Sequence, residues 1–215
     1  MNAFYRWLIA LALTAAAVVI CYLWVDRPLA LFAHAHTDHR ETFASLTHIP
    51  DLLNPLGVIA FVLFGLWVMA GRAMTAPAAA GALSSISLIV ATATKGELKY
   101  AFGRYWPDTW VANNPSLIRD GAYGFNPFHG GPGYASFPSG HTAVTCAVIS
   151  VLWIMFPKLR PLCALLVAAV AVGLIGANYH FLSDVIAGGF VGTSSGWMTV
   201  ELWRAYRALP PANKR

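Results

Sequence analysis

Charged residues are scarce in this sequence. Only 11% of its 215 residues are charged, whereas 58% are hydrophobic. A soluble domain carries about 25% charged residues, so this composition excludes a water-facing globule. Several apolar runs also approach the roughly 20 residues that are needed to cross a bilayer core. The composition therefore predicts an integral membrane protein.

Cysteine is scarce as well. The chain has three, Cys21, Cys146 and Cys163, each inside an apolar run and none in a CxxC spacing. An odd number without such spacing indicates neither a disulfide framework nor a zinc site, so we interpret all three as small apolar residues. We predict no metal and no cofactor. The net charge of +5 also needs no nucleic-acid partner, because the basic residues cluster beside apolar runs.

The apolar runs predict an all-α fold, an integral membrane six-helix bundle. No repeat or second domain is visible, so residues 1–215 are predicted to form a single membrane-embedded domain. The first run is longer than the 7–15 apolar residues of a secretory signal, which favours a retained helix. The six predicted spans are 7–25, 55–71, 77–94, 138–156, 161–179 and 185–203.

The distribution of Lys and Arg predicts the orientation. With six spans, the termini share one side with the 72–76 and 157–160 connections, and this side holds all but six of the 14 basic residues and only one acid, Glu201. By the positive-inside rule both termini are cytoplasmic, which suits a bacterial inner membrane. The connections 26–54 and 95–137 are then exoplasmic, and the second, between helices 3 and 4, is long enough to indicate a functional segment.

Three small residues in the sixth span are spaced four apart: Gly188, Gly192 and Gly196. This spacing lets helix backbones approach closely in a bilayer. The stripe predicts close packing, either inside the bundle or between the subunits of a homo-oligomer.

The motif PSGH, Pro138 to His141, opens the fourth span. Backbone N–H groups in a first helical turn have no intrahelical partner and attract anions. Gly140 would let a phosphate approach the backbone, Ser139 adds a hydroxyl, and His141 can donate a proton near neutral pH. The alternative is a simple helix start with His141 at the membrane interface.

A second pair, His180 and Asp184, is four residues apart, so on a helix the two side chains share one face. A carboxylate that binds one imidazole nitrogen leaves the other as a base or nucleophile. The alternative is an isolated interfacial pair. Lys99 and Arg104 follow the third span on the same side of the membrane as both histidines. Together these residues predict phosphoryl transfer through a phosphohistidine.

These motifs resemble those of the type-2 phosphatidic acid phosphatase (PAP2-like) superfamily. Its pattern is Lys, six residues, Arg-Pro; then Pro-Ser-Gly-His; then Ser-Arg, five residues, His, three residues, Asp. Here Lys99 and Pro107 keep the first spacing, Pro138 to His141 is intact, and His180 and Asp184 end the third motif. The resemblance covers the chain from the third predicted span to the sixth.

The resemblance implies a function and roles for residues. His180 would be the nucleophile, Asp184 its orienting partner and His141 the acid for the leaving group, while Lys99, Ser139 and Gly140 would hold the phosphate. The substrate would be a lipid or isoprenoid phosphate or diphosphate that lies in the bilayer and is hydrolysed at the exoplasmic face. No metal would be required.

The sequence departs from the family at both motif arginines. Trp106 replaces the first and Leu174 the second. A guanidinium that binds phosphate is hard to replace with an apolar group. We hypothesise that Arg104 replaces one of them. The candidates for the other are Arg119, His129 and Asn178.

Two other functions stay open at this point. A lipid phosphotransferase would use the same residues, with an acceptor lipid in place of water. A lipid-phosphate binding or transport protein would have lost turnover together with its arginines, but binding alone does not need His141, His180 and Asp184.

The segment HAHTDH, residues 34–39, has the spacing of binuclear metallohydrolase ligands. In those enzymes it follows a strand of a soluble α/β sandwich, whereas here it lies between two membrane spans. A motif outside its structural context is weak evidence. We interpret the segment as a polar exoplasmic loop.

Overall fold

The computed structural model describes residues 2–38 and 40–208, and this part of the chain is helical, with isolated β-bridges but no β-strand. A π-helical segment, Cys21–Val25, joins the first two helices, and 3₁₀ segments occupy Pro132–Tyr134 and Pro157–Leu159. The α-helices are α1 Ala3–Ile20, α2 Asp26–His36, α3 Arg40–Ser45, α4 Ile49–Met69, α5 Ala76–Phe102, α6 Leu117–Asp120, α7 Gly140–Met155, α8 Arg160–Gly176 and α9 Leu182–Ala208.

Helices α7 and α9 form the centre, and their contact is the most extensive between any two helices described. A third helix, α5, completes the core, where Leu83, Val151 and Val200 are buried together. Burial of three such side chains stabilises the bundle by about 1.5–3 kcal/mol each in water, and within a bilayer close packing takes over this role.

The glycine stripe of α9 lies in this central contact. A Cβ on Gly192 would lie 2.7 Å from the backbone nitrogen of Ala147 and would overlap the carbonyl oxygen of Ala143. Gly188 and Gly196 face the same helix and are equally buried. The stripe therefore serves packing inside the bundle. The prediction of a homo-oligomer contact through these glycines is wrong, because α7 already occupies them.

Two predicted boundaries are corrected. The break predicted after residue 25 is absent, because the π-helical segment leads directly into α2 and one helix runs from Ala3 to His36. The third span also continues past residue 94 to Phe102, so Lys95 and Lys99 are helical. Much of the predicted loop 26–54 is helical, and the loop predicted to start at 95 starts at Gly103.

Within residues 2–38 and 40–208, four helical stretches are long and apolar enough to cross a membrane: Ala3–His36, Arg40–Met69, Ala76–Phe102 and Pro157–Gly176. The apolar helix α7 is shorter, at 16 residues, and α9 is richer in Gly, Ser and Thr. The protein is thus an all-helical integral membrane protein. The count of six spans stays a prediction.

Candidate active site

His180 and Asp184 lie side by side, but not as a helical pair. Since α9 begins at Leu182, His180 is in the turn before it. The Asp184 carboxylate folds back toward this turn, where Oδ2 lies 3.4 Å from His180 Nδ1 and accepts from the Phe181 backbone N–H at 3.0 Å. Ser136 also donates its hydroxyl to Oδ2, at 2.6 Å. Three groups thus hold the Asp184 carboxylate in place. Because His180 faces it with Nδ1, the other ring nitrogen, Nε2, points away from the carboxylate.

Burial sets the protonation state of His180. Its side chain is 2% exposed, and burial lowers its pKa below the ordinary value, against the opposing hydrogen bond and charge of Asp184. An imidazole with a lowered pKa is neutral at neutral pH and keeps a lone pair for attack on an electrophile.

The PSGH motif begins α7 as predicted, with one correction to its register. Ser139 is the N-cap, its hydroxyl accepts from the Thr142 N–H, and Pro138 precedes the cap instead of opening the helix. The Ser139 N–H donates to the Asp184 backbone carbonyl at 3.0 Å, which ties this motif to the third one. His141 follows in the first turn, and its ring centroid lies 6.2 Å from that of His180.

Both histidines line one cavity of about 190 Å³. Its wall holds two cations, Lys95 and Lys99, and the backbone of Gly140. Helix α4 closes one side, where Asp51 Oδ1 lies 3.6 Å from His141 Nε2. The remaining lining residues are Pro50, Asn54, Trp106 and Trp110. A concave site with two histidines, two ammonium groups and the N-terminus of α7 is suited to an anion of phosphate size.

Arg104 lies outside this cavity, behind Asp184. Its side chain is fully buried and pairs with Asp184 Oδ1 and, at 2.7 Å, with Asp26 Oδ2. It also donates to the Ser183 hydroxyl at 2.6 Å. Two buried carboxylates attract a guanidinium strongly in a low dielectric. The structure therefore corrects the hypothesis that Arg104 replaces a phosphate-binding arginine.

The three accessory candidates are also outside the cavity. Arg119 is exposed on the loop and pairs with its neighbour Asp120. His129 is exposed beside Tyr134, and Asn178 donates to the Ala30 carbonyl at 3.0 Å. Each has local partners, so none takes the place of the second motif arginine.

The two positions that lost arginine differ in their surroundings. Trp106 lines the cavity, with its ring centroid 5.1 Å from that of His180 and the Lys99 Nζ 5.4 Å from its own centroid. Leu174 is fully buried with Val170 and Val185 in a core cluster. An arginine at 174 would meet apolar side chains, so this position has become part of the core.

The described part of the metal-like segment, residues 34–38, contributes no lining residue to the cavity. His34 and His36 lie on α2, and His34 Nδ1 is 4.0 Å from Asp108 Oδ2. His39 lies outside the described residues.

Sequence reasoning missed two residues beside the site. Lys95 lies one helical turn before Lys99 and would have been found if α5 had been extended through the polar residues after 94. Asp26 is a lone carboxylate in a long apolar segment, which is costly unless it is paired. This cost could have indicated, from the sequence alone, that Asp26 has a buried partner.

Comparison with known proteins decides the family. The family model of the PAP2 superfamily matches residues 80–208, which contain all three motifs. The chain belongs to the PAP2 superfamily. The resemblance inferred from the motifs is thereby confirmed, and the family match ends at the last described residue of α9.

Two curated relatives are lipid A 1-phosphatases. The protein from Rhizobium johnstonii (strain DSM 114642 / LMG 32736 / 3841) is 29% identical over 200 residues, which cover 85% of this chain and 75% of the relative. The protein from Rhizobium etli (strain ATCC 51251 / DSM 11541 / JCM 21823 / NBRC 15573 / CFN 42) is 33% identical over 105 residues, 48% of this chain and 40% of the relative.

A solved PAP2 structure shares the fold. The crystal structure of the first transmembrane PAP2 type phosphatidylglycerolphosphate phosphatase from Bacillus subtilis matches with a TM-score of 0.61 at 18% identity. The match covers 94% of this chain and 96% of that one. The PAP2 fold therefore extends over nearly the whole chain and includes the helices before residue 80.

Proposed function

We propose that this protein is a membrane lipid phosphatase that hydrolyses a lipid or isoprenoid phosphate or diphosphate through a phosphohistidine on His180. Membership of the PAP2 superfamily and the two relatives called lipid A 1-phosphatases support a lipid phosphatase. The phosphohistidine is argued from one observation. His180 lies with Nδ1 against Asp184 and faces His141 across a cavity that Lys95 and Lys99 also line.

The first step transfers the phosphoryl group. The free Nε2 of His180 attacks phosphorus while the bond from phosphorus to the lipid oxygen breaks, and His141, which takes up a proton when the anionic phosphate binds beside it, gives that proton to the lipid oxygen. The lipid alcohol or lipid monophosphate leaves, and the phosphoryl group stays on His180. Asp184 stabilises the positive charge that develops on the imidazole, as a carboxylate partner of a reacting histidine does.

The second step consumes water. His141, now neutral, removes a proton from a water molecule whose oxygen attacks the phosphohistidine. The N–P bond breaks, inorganic phosphate leaves, and both histidines return to their starting states. The reaction is a hydrolysis without redox change, and these residues carry it without a metal.

The phosphate is held at the N-terminus of α7. Gly140 exposes its backbone there, Ser139 caps the same turn and Lys99 faces the cavity. We add Lys95 to this group, because a Cβ built on Gly140 would lie only 3.0 Å from its Nζ. Lys95 then neutralises charge that the family assigns to arginines, beside Lys99, which the family pattern already contains.

The test is phosphate release by the detergent-purified protein in excess EDTA. The panel holds lipid A, phosphatidic acid, phosphatidylglycerol phosphate and isoprenoid mono- and diphosphates. We expect release from at least one of them, loss in His180→Ala and full activity in the matched control His129→Ala, since His129 is exposed on the loop. A rapid quench with labelled substrate should trap an acid-labile, alkali-stable phosphoprotein.

Three results would contradict the proposal. Loss of activity in EDTA would indicate a metal mechanism. Label that moves only to a second lipid would indicate a phosphotransferase. Tight binding without release or transfer would indicate a binding protein.

A further inference from the structure

A buried carboxylate from outside the family match reaches the back of the site. Asp26 lies at the start of α2, immediately after the π-helical segment, and is 1% exposed. Its Oδ2 accepts from Arg104 at 2.7 Å, and its Oδ1 accepts from the Ser183 backbone N–H at 3.0 Å. π-turns within helices are frequently found at functional sites. Asp26 thus contacts residues on both sides of Asp184 without reaching the cavity.

The charges of this cluster determine what Asp184 can offer to His180. Among the described residues, Arg104 is the one cation that both carboxylates contact, and it directs one guanidinium nitrogen to each of them. Two carboxylates and one guanidinium leave one negative charge unbalanced. The remaining neighbour of Asp184 that can take up positive charge is His180, at 3.4 Å. Without Asp26, Arg104 would neutralise Asp184 alone.

We propose that Asp26 is a positioning residue that holds Arg104 and leaves the negative charge of Asp184 available to His180. This inference rests on the proposed function, in which His180 gains positive charge during attack. Asp26 touches neither substrate nor reacting atoms. It acts through Arg104, which it orients. It also acts through Ser183, whose hydroxyl accepts from Arg104 and donates to Asp26.

A role for Asp26 in positioning Arg104 explains why the protein keeps a carboxylate in its first membrane helix in spite of the free-energy cost. A carboxylate in a membrane helix is unfavourable unless it is paired or functional. Replacing a buried ion pair by apolar residues is often neutral or stabilising, so pairing with Arg104 does not by itself account for Asp26. A role in catalysis does.

The test is Asp26→Asn, which keeps the shape of the side chain and removes its charge. With a substrate identified by the assay above, kcat should fall about ten- to a hundredfold, the loss typical of outer partners of a reacting group. KM should change less than threefold, because the phosphate-binding groups are untouched. Asp26→Glu should recover most of kcat. The matched control is Asp38→Asn, the same change at an exposed position, which should leave kcat unchanged.

A purely structural role is separated by a double variant. If Asp26 acts through Asp184, Asp26→Asn should lower kcat little further in an Asp184→Asn background, because residues that act as a unit are not additive. An additive loss would overturn the proposal, as would an unchanged kcat in Asp26→Asn. Should the Asn variant fail to fold, Asp26→Glu decides: a folded protein with wild-type kcat supports the role of the charge, and a hundredfold loss overturns it.

The failure of each proposal has its own signature. His180→Ala with full activity would overturn the phosphohistidine whatever Asp26 does. An inactive His180→Ala together with a fully active Asp26→Asn would overturn only the role of Asp26.

Discussion

At the scale of the residue, we expect an ammonium group, that of Lys95, to supply charge where the family has a guanidinium group. Arginine binds phosphate through a rigid fork, whereas lysine acts as a compact point charge on a flexible stem. Lys95 and Lys99 are one helical turn apart on α5 and both line the cavity, and among residues 2–38 and 40–208 no carboxylate forms an ion pair with Lys95. An ammonium without a partner beside a helix N-terminus is ready to bind an anion.

Removing Lys95 should therefore weaken capture of the phosphate. We expect Lys95→Ala to lower kcat/KM about ten- to a hundredfold, since a hydrogen bond to a charged group contributes about 1.5–3 kcal/mol. Most of the change should lie in KM, and Lys95→Arg should restore part of it. Steady-state kinetics on the best lipid of the panel measures both constants.

The matched control is Lys158→Ala, an exposed lysine in the connection between α7 and α8. Its kinetics should equal those of the wild type. Equal KM values for Lys95→Ala and Lys158→Ala would remove Lys95 from the phosphate site.

At the scale of the element, the contact between α7 and α9 holds the PSGH motif and the motif of His180 and Asp184 together. Gly192→Ala should destabilise it, because the new Cβ would overlap the backbone of α7. Overpacking costs about 1–3 kcal/mol and exceeds the gain of up to 1 kcal/mol in helix propensity. We expect the thermal midpoint in detergent to fall by several degrees.

Gly189→Ala provides the control on the same helix. A Cβ there would lie 3.7 Å from Thr142 Cγ2 and 3.9 Å from Cys146 Sγ, which are ordinary contacts. Its midpoint should equal or exceed that of the wild type. A midpoint for Gly192→Ala at or above that of Gly189→Ala would show that the two helices separate at little cost.

The sequence predicted these elements unevenly, for physical reasons. The apolar runs located α4, α5, α7, α8 and α9 to within a few residues at most of their ends, because hydropathy reports contact with lipid or core. It failed at the end of α5, where Lys95, Glu97 and Lys99 are polar although the helix continues to Phe102. It failed again after residue 25, because no pattern in the first apolar run indicated a π-helical segment that continues into α2.

The candidate site was predicted in the same uneven way. His141, His180 and Lys99 line one cavity. They could be predicted because each belongs to a short motif that is visible in the sequence. Arg104 was misplaced because its partners are distant in sequence. Asp26 and Asp184 are 78 and 80 residues from it, and spacing along the chain carries no information about such contacts.

At the scale of the whole molecule, the orientation in the membrane decides which compartment supplies the substrate. We expect the 103–137 loop to face the exoplasm and the connection at 157–159 the cytoplasm, because Lys and Arg concentrate on the second side. A membrane-impermeant maleimide should label His129→Cys in intact spheroplasts and should label Lys158→Cys only after lysis. The native cysteines are buried and should react little.

The reverse pattern, with Lys158→Cys labelled in intact spheroplasts, would place the cavity on the cytoplasmic side. Labelling of both sites before lysis would indicate leaky membranes. The measurement would then be repeated on sealed vesicles of the same orientation as the spheroplasts, where we expect the same labelling pattern.

The burial of Asp26 also has a consequence for the biogenesis of the protein. Asp26 leaves the ribosome 78 residues before Arg104 and 157 before Ser183. Chains are synthesised from the N-terminus, so the first helix enters the bilayer with its carboxylate unpaired, which favours a position near the membrane surface. Only when the loop after α5 and the start of α9 arrive can the first helix settle to its final depth. We therefore expect assembly of the site to complete insertion of the first helix.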